Sequence, residues 1–304
     1  MSSVARGQLA ILSAATLWGV AGAVAKYLFA SQAVPAFLMV QVRMGLSFVL
    51  LAGTLAVVAP ELLRIRRENL RFFAIWGVLG MAAVQFTYLF TISETNVATA
   101  LFLQYLAPIM TALWATLFEG QRLGTRLLVC LALALGGSFL LIFGGTARLL
   151  VSPIGLASGL GSAAFLAFYT IYGAKGVGKL SPWTLLCYGL GAGALFWLLC
   201  DLGLLAAGRP VPGAHLLSSL PIWGFFVYMA VLATVVPFGL YLTGLKSATP
   251  TQATITGMLE PVVGGLAAYL ALGEALLPVQ IGGGVLIVLA VILLQLRGQS
   301  RQSA

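Results

Sequence analysis

One apolar segment occurs twice in this chain, 153 positions apart. Ala98–Leu123 reads ATALFLQYLAPIMTALWATLFEGQRL, and Thr251–Leu276 reads TQATITGMLEPVVGGLAAYLALGEAL. Overlaid without a gap, Pro108 meets Pro261, Gly120 meets Gly273 and Leu123 meets Leu276. Alanine and leucine matches carry little weight in an apolar sequence, but the shared proline-to-glycine spacing does. It marks one helix used twice, and therefore a duplicated protein.

The solvent for these helices follows from the residues around them. Of 304 residues, 61% are hydrophobic and only 8% charged, against roughly 25% charged in a soluble domain. The apolar runs are long and continuous and do not alternate at period two, which points to membrane-spanning helices rather than a barrel. At roughly 20 residues per crossing, the length allows about ten spans and leaves no room for a soluble catalytic domain. The expected class is an all-α polytopic membrane protein with ten transmembrane helices in two inverted five-helix repeats. Expected spans are 8–29, 36–58, 70–91, 95–118 and 125–143, then 153–174, 182–205, 219–244, 249–270 and 277–296. The repeats divide at 147/148, with a short polar tail after the last span. The N-terminus carries no small-residue cleavage site, so the first span is expected to be retained.

The cations test this division, because lysine and arginine are retained on the cytoplasmic side. With the N-terminus inside, the inner segments hold Arg6, Arg64, Arg66, Arg67, Arg71, Arg122, Arg126, Lys175, Lys179, Lys246, Arg297 and Arg301. Only Arg148 and Arg209 fall outside, and Lys26 and Arg43 fall within spans. A miscounted span would scramble that alternation, so both termini are expected in the cytoplasm. Five spans per repeat make the second copy enter from the opposite side. Two similar halves of opposite orientation can exchange conformations, which is the arrangement that transporters use, with the solute bound near the midplane.

Polar groups at membrane depth are costly and so become candidates for function. Glu260 stands near the middle of the ninth span, directly before Pro261, where a missing backbone donor bends the helix. It could bind a proton or a substrate amine, or be tied to an Arg or Lys within the bundle. Pro108 breaks the fourth span in the same way, preceded by Gln104 and Tyr105, and Pro237 is a third candidate bending point. Arg43 could clamp a carboxylate or serve as a fixed structural partner of an acid or of helix-end carbonyls. Lys26 could snorkel to the interface. Trp18 and Tyr105 fall near mid-depth, and with Tyr88, Tyr169 and Tyr241 they suit a cavity for an apolar or aromatic solute with a polar head. Gln85 and Gln252 are further polar candidates. Trp76, Trp183 and Trp223 read as interfacial-belt residues.

Several chemistries have no support. Lys175–Lys179 has glycines but no Walker spacing, so ATP-driven pumping is not expected. Cys130, Cys187 and Cys200 all fall in apolar runs and read as packing residues. His215 is alone in an outer loop. Neither a cofactor nor a metal is expected, nor enzymatic activity, nor a nucleic-acid partner. The expected partners are a small-molecule substrate and the lipid bilayer, and oligomeric state is open. Gly155/Gly159, Gly189/Gly193 and Gly282–Gly284 read as small faces for close helix contact.

Trp18-Gly19, Arg43 and Leu259-Glu260-Pro261 followed by Leu272-Gly273-Glu274 resemble the marks of the EamA unit of the drug/metabolite transporter superfamily, over nearly the whole chain. Gln104-Tyr105-Leu106-Ala107-Pro108 with Leu117-Phe118-Glu119-Gly120-Gln121 is similar to the fourth span of the bacterial YddG-type aromatic amino acid exporters. The usual Gly-Glu of the superfamily is Gly120-Gln121 here. The resemblance implies ten spans, a central cavity, a bacterial inner-membrane location and export of aromatic or other neutral amino acids. Export of drugs or other small metabolites is the alternative, and a second buried acid would favour it.

Overall fold

The computed structural model describes residues 3–32, 34–144, 152–272 and 276–295; the side chains of 3–4, 22–32, 36, 268, 271 and 272 are outside that description. The boundary at 147/148, Gly273, Glu274, Arg148 and the polar tail lie outside the described residues. Among the described residues the regular structure is helical throughout.

Fourteen α-helices make up the described structure. In the first half they are α1 (Ser3–Gln32), α2 (Ala36–Val58), α3 (Leu70–Ile75), α4 (Ala83–Glu94), α5 (Val97–Gln104), α6 (Ala107–Leu117) and α7 (Thr125–Phe143). In the second they are α8 (Pro153–Val177), α9 (Pro182–Ala206), α10 (Leu220–Ala230), α11 (Val236–Gly244), α12 (Pro250–Gly257), α13 (Glu260–Leu272) and α14 (Pro278–Gln295). A π-helical segment, Trp76–Ala82, joins α3 to α4, and another, Val231–Val235, joins α10 to α11. Eight stretches among the described residues are long and apolar enough to cross a membrane, coinciding with the expected second to eighth and tenth spans. Helix α1 and the α12–α13 pair occupy the expected first and ninth.

The duplication extends well beyond the segment that revealed it. Helices begin at Ala83 and Val236, Val97 and Pro250, Ala107 and Glu260, and Thr125 and Pro278, each pair separated by the same 153 positions. Packing repeats the theme. α4 lies on α8 as α11 lies on α1, while α2 pairs with its counterpart α9 and α7 with its counterpart α14. A two-fold pseudo-symmetry generates that pattern of contacts.

Glycines set the helix separations. A Cβ built on Gly137 would lie 2.6 Å from the Gly283 carbonyl oxygen, and one on Gly77 would lie 2.6 Å from that of Gly189. Backbones therefore touch where α7 crosses α14 and where the first π segment crosses α9. Gly155 faces Thr95, Gly159 faces Leu103 and Gly193 faces Met44, each too closely for a side chain. With lipid outside as apolar as leucine, such close contact is what holds helices together. Of Gly282–Gly284, only Gly283 makes a contact of this kind.

The structure moves one residue from its expected place. Trp76 is fully buried rather than interfacial. Its ring stacks on Tyr169 with centroids 5.1 Å apart, and its Nε1 donates to the Tyr169 carbonyl at 3.0 Å. Gly189 provides the room, since a side chain there would run into the Trp76 ring.

Candidate functional site

Each proline at the middle of a duplicated segment removes a backbone donor, and the helix answers with one tight turn. In the fourth span, the turn is Tyr105-Leu106, between α5 and α6, and Leu106 N–H donates to the Leu103 carbonyl at 3.2 Å. In the ninth it is Met258-Leu259, between α12 and α13, and Met258 N–H donates to Ile255 at 3.1 Å. The turns sit two to three residues before Pro108 and Pro261, because a proline's missing bond is the one to the preceding turn. Pro237 follows the second π segment and lies one residue into α11. Gly120, at φ +64°, ends the duplicated segment in the left-handed conformation that glycine adopts most readily.

These turns bring a charged cluster together. Glu260 is the first residue of α13, and the buried Tyr105 ends α5. Tyr105 interacts with the Glu260 carboxylate, yet its hydroxyl closes no well-formed hydrogen bond. Tyr88 on α4 interacts electrostatically with both Arg43 on α2 and Glu260. So groups on α2, α4 and the α5–α6 turn of one half come within electrostatic reach of each other or of Glu260 on the other half. The ion pair recorded among the described residues is the exposed Arg66–Glu68; Arg43 and Glu260 do not form one with each other. The Nε of Arg43 is buried and has no hydrogen-bond partner. Gly19 fits α1 against this point, because its Cβ position lies 2.6 Å from the Glu260 carbonyl oxygen and 2.9 Å from Gly264 N.

A second group is aromatic. Trp18 packs on Phe238 at 4.9 Å and on Tyr241 at 5.5 Å, and Tyr169 packs on Phe238 at 5.6 Å and on Tyr241 at 6.1 Å. Trp76 closes the layer against Tyr169. The Tyr241 and Thr170 hydroxyls are 3.3 Å apart, while the buried Tyr169 hydroxyl has no partner.

Each of the remaining candidates has its own surroundings. Gln104 Nε2 donates to Ser162 Oγ at 2.8 Å across α5 and α8. Gln85 is buried and both of its amide atoms lack partners. Gln252 forms a capping box with Thr249 at the start of α12. The Lys26 side chain lies outside the described residues.

Sequence reasoning passed over Ser162 and the bond from Gln41 Nε2 to Asp201 Oδ1 at 2.7 Å, and it placed Trp76 at the interface. None of these carries a motif, and each gains meaning only from a partner far along the chain. A crevice lined by Thr111, Trp114, Glu119 and Pro250 lies elsewhere, and the mid-depth charges do not line it. Cys130, Cys187 and Cys200 are free thiols.

Comparison with known proteins bears on the family and the fold. The model of the EamA-like transporter family matches twice, over residues 5–143 and 153–296. An uncharacterized inner membrane transporter, YicL, of Salmonella typhimurium is 29% identical over the full length of both chains. A probable terminal-alkyne amino-acid exporter of Streptantibioticus cattleyicolor is 25% identical over 83% of this chain and 80% of its own. The threonine/homoserine exporter RhtA of Escherichia coli K12 is 27% identical over 75% of this chain and 73% of its own. These relatives lend no support to the aromatic-exporter subgroup that the fourth span resembles. A solved crystal structure, 18% identical, shares the fold with a TM-score of 0.76 over 98% of this chain and 99% of that one. With both halves matched, the chain belongs to the EamA-like transporter family, as a multi-pass membrane protein of transporter type.

Proposed function

We propose that this protein exports neutral amino acids, aromatic ones included, across a bacterial inner membrane by alternating access between two inverted halves. The observation that carries this reading is the pair of in-span charges, Arg43 and Glu260, which form no ion pair among the described residues of a chain only 8% charged. An Arg or acid at the centre of a membrane helix costs about 2.5–3.5 kcal/mol on insertion scales. A bundle that needed them only for structure would join them. Their separation around Tyr88 and Tyr105 leaves polar groups for a passing solute. The Trp18–Tyr169–Tyr241 layer, next to the cluster through Trp18-Gly19, offers a surface for an apolar or aromatic side chain. Two relatives named as amino-acid exporters support the substrate class.

Both termini are placed in the cytoplasm by the distribution of cations, and the prolines at 108, 237 and 261 are the proposed bending points. The test is tracer flux in liposomes of purified protein, with phenylalanine, tryptophan, threonine, a nucleoside and a cationic drug. Amino-acid flux well above empty vesicles is the expected result. Flux of the drug or nucleoside alone would replace this reading with export of other metabolites.

A further inference from the structure

The charged cluster holds both signs, and neither is neutralised by the other. Arg43 and Glu260 each interact electrostatically with Tyr88, from opposite halves of the molecule, and they form no ion pair with each other. A lone cation would satisfy Glu260 and leave Arg43 unpaired, and a lone anion would do the reverse. A dipolar solute satisfies both at once. Resting on the amino-acid reading above, we propose that this cluster recognises the substrate as an intact zwitterion, with Arg43 taking the α-carboxylate and Glu260 the α-ammonium.

The chemistry of each group matches its partner. A guanidinium presents a planar fork to the two oxygens of a carboxylate, and the Nε of Arg43 is buried and unused. A carboxylate accepts from any of the three ammonium donors. Glu260 is fixed for that purpose, at the first residue of α13 with Gly19 backed against its carbonyl. Tyr88 is within electrostatic reach of both charges, and the unbonded Tyr105 hydroxyl interacts with Glu260. Because the ammonium partner comes from one half and the carboxylate partner from the other, a zwitterion ties the halves together where an analogue with one charge cannot. Recognition of the charged ends also leaves the side chain to the aromatic layer. That division of labour accommodates both aromatic and small neutral amino acids.

The experiment is counterflow in liposomes with labelled phenylalanine and threonine, competed by each amino acid, its amide and its N-acetyl derivative. The amide lacks the carboxylate, and the N-acetyl form lacks the ammonium. In the unaltered protein each zwitterion should compete at least tenfold better than either derivative. Arg43→Gln should erase the preference over the amide and keep that over the N-acetyl form, and Glu260→Gln should do the converse. Arg43→Lys and Glu260→Asp, together with monodispersity on gel filtration, separate recognition from misfolding, since each keeps its charge and should retain part of the preference. Equal competition by all three forms, or an equal loss for all three in both variants, overturns the proposal. So does Glu260→Gln that leaves exchange intact and removes only pH-gradient-driven flux, because Glu260 would then carry a proton. Absence of any amino-acid flux in the unaltered protein is a different result, and it removes the amino-acid reading itself.

Discussion

On α4, Gln85 is only 4% exposed and neither end of its amide has a hydrogen-bond partner. Leaving such a group unpaired costs about 1–3 kcal/mol, so a purely structural role would be a poor use of it. Gln85→Leu should leave thermal stability unchanged or raise it, while flux falls about tenfold; a scanning unfolding assay and counterflow read the two effects separately. Trp76 gives the opposite contrast. Fully buried against Tyr169 and Gly189, it should cost about 3–5 kcal/mol on Trp76→Ala, seen as a lower unfolding midpoint. The sequence revealed Arg43, Glu260, Tyr88 and Tyr105 because polar and aromatic residues at mid-depth stand out in an apolar chain. It misplaced Trp76, whose position near the start of a span looks interfacial. What buries it is Gly189, more than a hundred residues away, and no local pattern announces that contact. Gln252 shows a second thing that no pattern announced: a glutamine three residues into a helix can be a capping partner, and here it caps.

Among the helices, the two proline turns are the parts that the duplication exposes most clearly. Pro108 and Pro261 told where spans four and nine would bend, and the turns lie just ahead of them at Tyr105-Leu106 and Met258-Leu259. The π segments were half legible. Val231–Val235 is followed by Pro237, but Trp76–Ala82 has no proline nearby, and its wider winding follows from packing against α9. Pro108→Ala restores a donor for the Gln104 carbonyl and straightens the helix. Stability should hold or rise, and flux should drop about tenfold, because the turn positions Tyr105 beside Glu260. Gly19 provides a second test at this scale. Gly19→Val would drive a side chain into the Glu260 carbonyl and Gly264 N, and such overpacking costs about 1–3 kcal/mol. Gly136→Ala, with open space around it, is the matched control and should be neutral or slightly stabilising. Comparable unfolding midpoints for the two variants would contradict the close docking of α1 on α13.

Across the described residues, the equal spacing of helix starts and the mirrored packing pairs describe one helical unit used twice, and the family match falls on the same two segments. That much was readable from the one repeated segment. The sequence also shows how unequal the copies are around their prolines. The Gln104-Tyr105 position of one half corresponds to Gly257-Met258 in the other, and the Ala107 position to Glu260. A symmetric scaffold therefore carries an asymmetric set of polar groups. Reporter fusions at both termini should read cytoplasmic. The most direct measurement of the central claim is two-sided labelling of Tyr88→Cys, in protein with its three cysteines replaced, by a membrane-impermeant thiol reagent in oriented vesicles. The account predicts labelling from each side, with phenylalanine or threonine slowing it from both. Labelling confined to one side, unchanged by any amino acid, would contradict it.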